Sequence, residues 1–168
     1  MVGAENVMGL LDPTRRAVPL NGNGSQPPLG PLVRIGSPAP AFQLPDLDGQ
    51  PVTTGVLENN ETLVLFWDPA CGFCQRMLDD LKRWESERSG DAPELLVVST
   101  GTVEVNRAMG LRSTVVLDQG FGLGRQFGAS GTPSAVLVDR KGRVSSQVVA
   151  GAEAVLDLAG ATAIPSGS

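Results

Sequence analysis

The sequence contains no histidine and no tyrosine, and only two cysteines in 168 residues. Each shortage removes a class of chemistry. Without histidine, no Ser-His-Asp or Cys-His pair can form within one chain. Imidazole is also missing as a zinc ligand, and two cysteines cannot close a four-ligand shell unless two chains pool theirs. No metal site is therefore expected. No run approaches the roughly 18 apolar residues of a membrane-spanning helix. Positive charge is scarce too, with 13 Lys and Arg against 18 Asp and Glu. A nucleic-acid binder should carry a basic face, so that partner is not expected. The same balance argues against electrostatic docking to an anionic membrane.

The hydrophobic share of 41% suits a soluble globular protein, and the length suits one domain plus a tail. Residues 1–34 read as a flexible N-terminal tail or linker, rich in Pro, Gly and Asn around Asn21-Gly22-Asn23-Gly24. Val7 to Leu11 could seed a short helix, which Pro13 limits. Glu5 comes early, Arg15 and Arg16 late, and no h-region lies between them, so the start does not read as a signal peptide. The globular domain is assigned to residues 35–162, and residues 163–168 form a C-terminal tail.

Within the domain, Phe42 to Leu44 and Pro51 to Thr53 are predicted to pair as a short hairpin around the Asp46–Gly49 turn. Thr62 to Trp67 and Leu95 to Ser99 are continuous apolar runs of the length of strands buried on both faces. Between them, Cys74, Met77, Leu78, Leu81 and Trp84 form a helical stripe within residues 72–88. A helix is predicted from Val103 to Met109, a strand over 114–117, a helix over 121–127 and a strand over 134–138. A turn at Arg140-Lys141-Gly142 then leads into an alternating, more exposed strand, Val144 to Val149, and a closing helix, Ala152 to Ala159. This order specifies a three-layer α/β/α sandwich around a central mixed sheet, with an N-terminal β-hairpin extension.

The two cysteines stand three apart, as Cys71-Gly72-Phe73-Cys74. So small a loop constrains the unfolded chain little, which makes stapling a poor explanation. Position is more telling. A buried strand ends at Trp67, and the next helix begins at the cysteines. Free N–H groups and the positive end of the helix dipole favour a thiolate at Cys71. The thiolate is the nucleophile of disulfide exchange, and Cys74, one turn on, is placed to resolve the mixed disulfide. Gly72 permits close approach by another chain. Phe73 either lines a partner groove or folds back on the domain. Gly131-Thr132-Pro133 opens the strand expected beside the cysteine helix, a position where proline is tolerated.

The segment Phe66 to Cys74, taken with Gly131-Thr132-Pro133-Ser134, resembles the thioredoxin superfamily. Upstream, Gly36 to Phe42 and Asp48-Gly49 resemble its redoxin branch, which holds TlpA-like oxidoreductases and AhpC/TSA peroxiredoxins. The resemblance implies a thiol–disulfide oxidoreductase with no cofactor beyond a redox-active Cys71–Cys74 disulfide. It also implies a cis Pro133 opposite that disulfide, Thr132 offering backbone hydrogen bonds to an extended substrate, and Trp67 packed beside the site. The buried acid that many thioredoxins place six residues before the first cysteine is Leu65 here, with Asp68 nearby. A peroxiredoxin-like peroxidase is the alternative, but it needs Thr or Ser where Asp68 stands. A copper or electron-transfer adaptor is a further alternative. Expected partners are protein dithiols and disulfides and an upstream thiol donor, with a membrane-bound one among the candidates, and the chain is expected to act as a monomer. The resemblance favours an extracytoplasmic setting, periplasmic or tethered in a longer parent.

Overall fold

The structure, a computed structural model, describes residues 33–163. Residues 1–32 and 164–168, which hold nearly all of the two expected tails and the expected turn of helix at Val7–Leu11, lie outside the described residues.

The central sheet grows from the two apolar runs. Thr62–Trp67 (β3) and Glu94–Ser99 (β4) pair in parallel. Every residue of β3 is buried, as expected of a strand covered on both faces. Thr114–Leu117 (β5) extends the parallel half beyond β4. On the other side, Ser134–Val138 (β6) runs antiparallel to β3, followed by the short Val149–Ala150 (β7), giving the order β5-β4-β3-β6-β7. Gln43–Pro45 (β1) and Pro51–Thr53 (β2) form the expected hairpin. It is fastened to the rest of the domain by an Asp46–Val116 bridge and by Arg107, which contacts Asp48 at 2.7 Å.

Strand alternation sorts the core into two layers. Leu63, Leu65 and Trp67 face one way, toward Cys74, Met77 and Leu81 of Gly72–Glu87 (α1) and Val155 and Ala159 of Ala152–Ala163 (α4). Val64 and Phe66 face the other way, toward Leu123 and Phe127 of Gly122–Phe127 (α3). Each Val, Leu, Phe or Met among them contributes about 1.5–3 kcal/mol when fully buried. The α1 stripe is therefore what docks the cysteine helix; Leu78 and Trp84 complete it, partly buried. Helix α2, Val103–Arg107, starts on a Thr102 cap, whose side chain accepts from the Val105 N–H at 3.1 Å. Among the described residues, no helix is long and apolar enough to cross a membrane.

Three expectations need correction. The alternating run Val144–Val149 is not a continuous strand. Val144 makes only a single bridge to Val138 and is buried, and β7 is confined to Val149–Ala150. The side chain of Ser146 supplies the reason, because its Oγ accepts from the Leu137 N–H at 2.9 Å and takes the place of a ladder carbonyl. The helix expected over 121–127 begins one residue later. Gln119–Phe121 forms a 3-10 turn, Phe121 sits in the left-handed region at φ 63°, and α3 begins at Gly122. Gly124 makes this possible: a Cβ there would lie 2.7 Å from the Phe121 ring. The closing helix runs past Ala159 to Ala163.

Candidate active site

The mixed sheet brings two distant segments together. Phe66 of β3 pairs with Ser134 of antiparallel β6. The residues that follow β3, leading to the cysteines, therefore lie level with those that precede β6, Thr132 and Pro133. The Thr132–Pro133 peptide bond is cis. The Cys71 thiol donates to the Thr132 carbonyl, with sulfur and oxygen 3.5 Å apart.

Cys71 occupies the N-cap of α1 in an extended conformation, which leaves its sulfur at the open first turn of the helix. Its backbone carbonyl accepts from the Gln75 N–H at 3.0 Å. The loop before it is braced locally. The Cys71 N–H donates to the Asp68 carbonyl, the Asp68 carboxylate accepts from the Ala70 N–H at 2.9 Å, and the Gln75 amide donates to the Pro69 carbonyl at 2.9 Å. Asp68 is thus a loop carboxylate turned on its own backbone. It offers no hydroxyl of the kind a peroxide-binding site needs at this position.

The two thiols differ sharply. Burial on its own would raise Cys71. Hydrogen bonds from the Cys74 backbone N–H, the Thr132 side chain, the Phe73 backbone N–H and the Cys74 side chain outweigh it and leave Cys71 below the ordinary thiol range. Cys74 is fully buried. Desolvation, only partly offset by the Asp68 backbone N–H and the Thr132 side chain, and increased by the charge of Cys71, leaves it pushed up to about 12. One sulfur is half-buried and prone to ionise; the other, a turn below, is kept neutral.

The remaining expected residues fall in distinct places. Trp67 is buried in the same cluster as Cys74, and its indole N–H donates to the Met109 sulfur at 3.0 Å. Phe73 does not fold back; it is 62% exposed. Gly72 is exposed, and a Cβ there would meet only the Arg76 guanidinium, at 3.6 Å. The fold itself therefore does not require glycine at this position. Pro133 is buried and Thr132 half-buried. Sequence reasoning missed Arg76, whose guanidinium lies 4.9 Å from the centre of the Phe73 ring. The i, i+3 spacing of Phe73 and Arg76 on α1 was the available signal. Among the described residues, no cluster of His, Cys, Asp and Glu is placed to hold a metal ion.

Comparison with known proteins agrees with this arrangement. The thiol–disulfide oxidoreductase ResA of Halalkalibacterium halodurans is 26% identical, over 67% of this chain and 67% of its own. The methylamine utilization protein MauD of Methylobacillus flagellatus is 28% identical, over 67% of this chain and 56% of its own. A secreted disulfide oxidoreductase of Mycobacterium tuberculosis, homologous to DsbE, superposes with a TM-score of 0.61 at 21% identity, covering 73% of this chain and 94% of that one. The fold is thus thioredoxin-like. The AhpC/TSA family matches residues 35–147, a span that takes in the hairpin, β3 to β6, both cysteines and the Thr132–Pro133 bond, and the chain belongs to that family.

Proposed function

We propose that this protein is a thiol–disulfide oxidoreductase in which Cys71 attacks and Cys74 resolves. The Cys71 thiolate attacks one sulfur of a partner disulfide. That S–S bond breaks, a mixed disulfide forms, and the first partner sulfur leaves as a thiolate. Cys74 then loses its proton and attacks the Cys71 sulfur, releasing the second partner thiolate. The partner gains two electrons and Cys71–Cys74 becomes a disulfide. An upstream dithiol reverses the change at the protein; a membrane-bound donor is the candidate we favour. The cysteine pair itself is the only redox group this cycle needs.

One observation carries the reading: two thiols one helical turn apart hold opposite proton affinities. An attacking group needs the lower value, and a resolving group must stay protonated until the mixed disulfide has formed. We assign Thr132 and Pro133 to the substrate groove, where the Thr132 backbone would add an extended partner strand. Gly72 and Phe73 would line the rim, and Trp67 would support the site from within the core. The redox domain is taken as residues 35–162, flanked by tails at 1–34 and 163–168. It acts as a monomer on protein dithiols and disulfides. By analogy with the secreted mycobacterial neighbour, its setting is extracytoplasmic.

The test is titration in glutathione redox buffers, read by thiol alkylation. A reversible two-electron couple is expected. A midpoint near the thioredoxin value of about −270 mV would make the protein a reductant, and one near about −120 mV an oxidant. Absence of any reversible couple would end the oxidoreductase reading.

A further inference from the structure

The rim of the site carries one cation whose placement the cycle above does not use. Arg76 lies on the exposed face of α1, with Asp79 and Asp80 three and four residues ahead, the usual spacing for helical ion pairs. It pairs with neither. Asp80 is taken by Arg83 at 2.9 Å, and among the described residues no ion pair involves Arg76. Its guanidinium instead leans back toward the helix N-terminus, as helical side chains do. There it lies over the Phe73 ring, with one nitrogen 3.6 Å from the place of a Gly72 Cβ. The charge is thus held beside Gly72 and Phe73, at the first turn of α1.

The aromatic ring orients the guanidinium without neutralising it, so its five donors stay open for a partner. Gly72 directly follows Cys71, so a chain laid beside Thr132 to reach the Cys71 sulfur comes close to this rim. We propose that Arg76, steered by Phe73, selects protein disulfides whose attacked cysteine is flanked by a carboxylate side chain. Phe73 gives the same segment an apolar contact. The inference rests on the dithiol mechanism above. It adds a substrate class, acidic sequence near the disulfide, and makes Arg76 a specificity-determining residue.

The test uses peptides with blocked termini, each closed by one disulfide and differing only in a Glu, Gln or Lys beside the first cysteine. The reduced full-length protein is presented with each, and the second-order rate constant of the single reduction event is compared within one protein, so any effect on thiolate reactivity or folding cancels. An exposed pair predicts about a two- to five-fold preference for Glu over Gln, with Lys slowest. The preference should shrink at high salt. R76E should reverse the order and R76K should keep it. Equal rates for the three peptides with the unaltered protein, or an unchanged order in R76E, would overturn the selectivity while leaving the dithiol cycle standing. If no peptide is reduced at all, the selectivity falls, and the glutathione titration decides the dithiol cycle on its own.

Discussion

The neutral, buried Cys74 thiol makes the reduced protein sensitive to alkali in a calculable way. Its folded-state value is raised from the ordinary 9.0 to about 12. A group raised in this way contributes stability that is fully present below the unfolded value and lost as pH climbs from there toward the folded one. From pH 8 to pH 10 the unfolded thiol ionises and the folded one does not. The partition favouring the unfolded chain grows about tenfold, a loss of about 1.4 kcal/mol. The chain has no tyrosine and only two lysines, Lys82 and Lys141, so the main other group titrating in this window is Cys71. Cys71, lowered in the folded state, works in the opposite sense: its stabilisation is present above the unfolded value and fades as pH falls through the folded one. Urea unfolding of the reduced protein and of reduced Cys74→Ala, at several pH values across that range, isolates the effect. The small cavity in Cys74→Ala lowers stability by a constant amount that does not enter the slope. The gap between the two proteins should close by about 1.4 kcal/mol, and the oxidised protein should show no such slope. Parallel curves for the two reduced proteins would refute the picture of Cys74 as a neutral buried thiol.

Other outcomes can be checked alongside. The rate of Cys71 alkylation in Cys74→Ser should rise through a midpoint below that of an ordinary thiol, since the helix N-terminal N–H groups favour its thiolate; a midpoint above the ordinary value would contradict this. Cys74→Ser should accumulate mixed disulfides with partners, visible as reductant-sensitive adducts by mass, whereas Cys71→Ser should form none. Phe66→Ala should cost about 3–5 kcal/mol of stability by urea unfolding, because the ring is fully buried and packs on Phe127 with centroids 5.5 Å apart.

The sheet was legible because its strands are continuous apolar runs, and β3, β4 and β6 fall within a residue of their expected bounds. The cysteine helix was legible from a stripe of five residues at helical spacing. Misreadings arose where a side chain replaces a backbone partner. Ser146 ends the strand pattern that Val144 to Val149 displays, and alternation alone cannot reveal such a substitution. Residue Asp118 is similar. Its buried carboxylate accepts from the N–H groups of Leu123 and Gly124, starting α3 from four residues before the helix, beyond the usual cap position. At the site, the cysteine spacing was sufficient to name both thiols. The neighbourhood of Thr132 was not readable from spacing, because it depends on strand register 61 residues away. Resemblance supplied it. The Trp67–Met109 contact and the lean of Arg76 were read by neither route, since both depend on how side chains settle after the sheet has formed.

That separation along the chain also orders events during synthesis. Cys71 leaves the ribosome 61 residues ahead of Thr132, with Cys74 close behind it. At about 5–20 residues per second, the nascent thiols spend roughly 3–12 s before the carbonyl that flanks them emerges. Through that interval β6 has not been made and cannot lie against β3. The young chain carries an ordinary pair of thiols with only each other to pair with, and becomes a redox device when its last core strand closes the sheet.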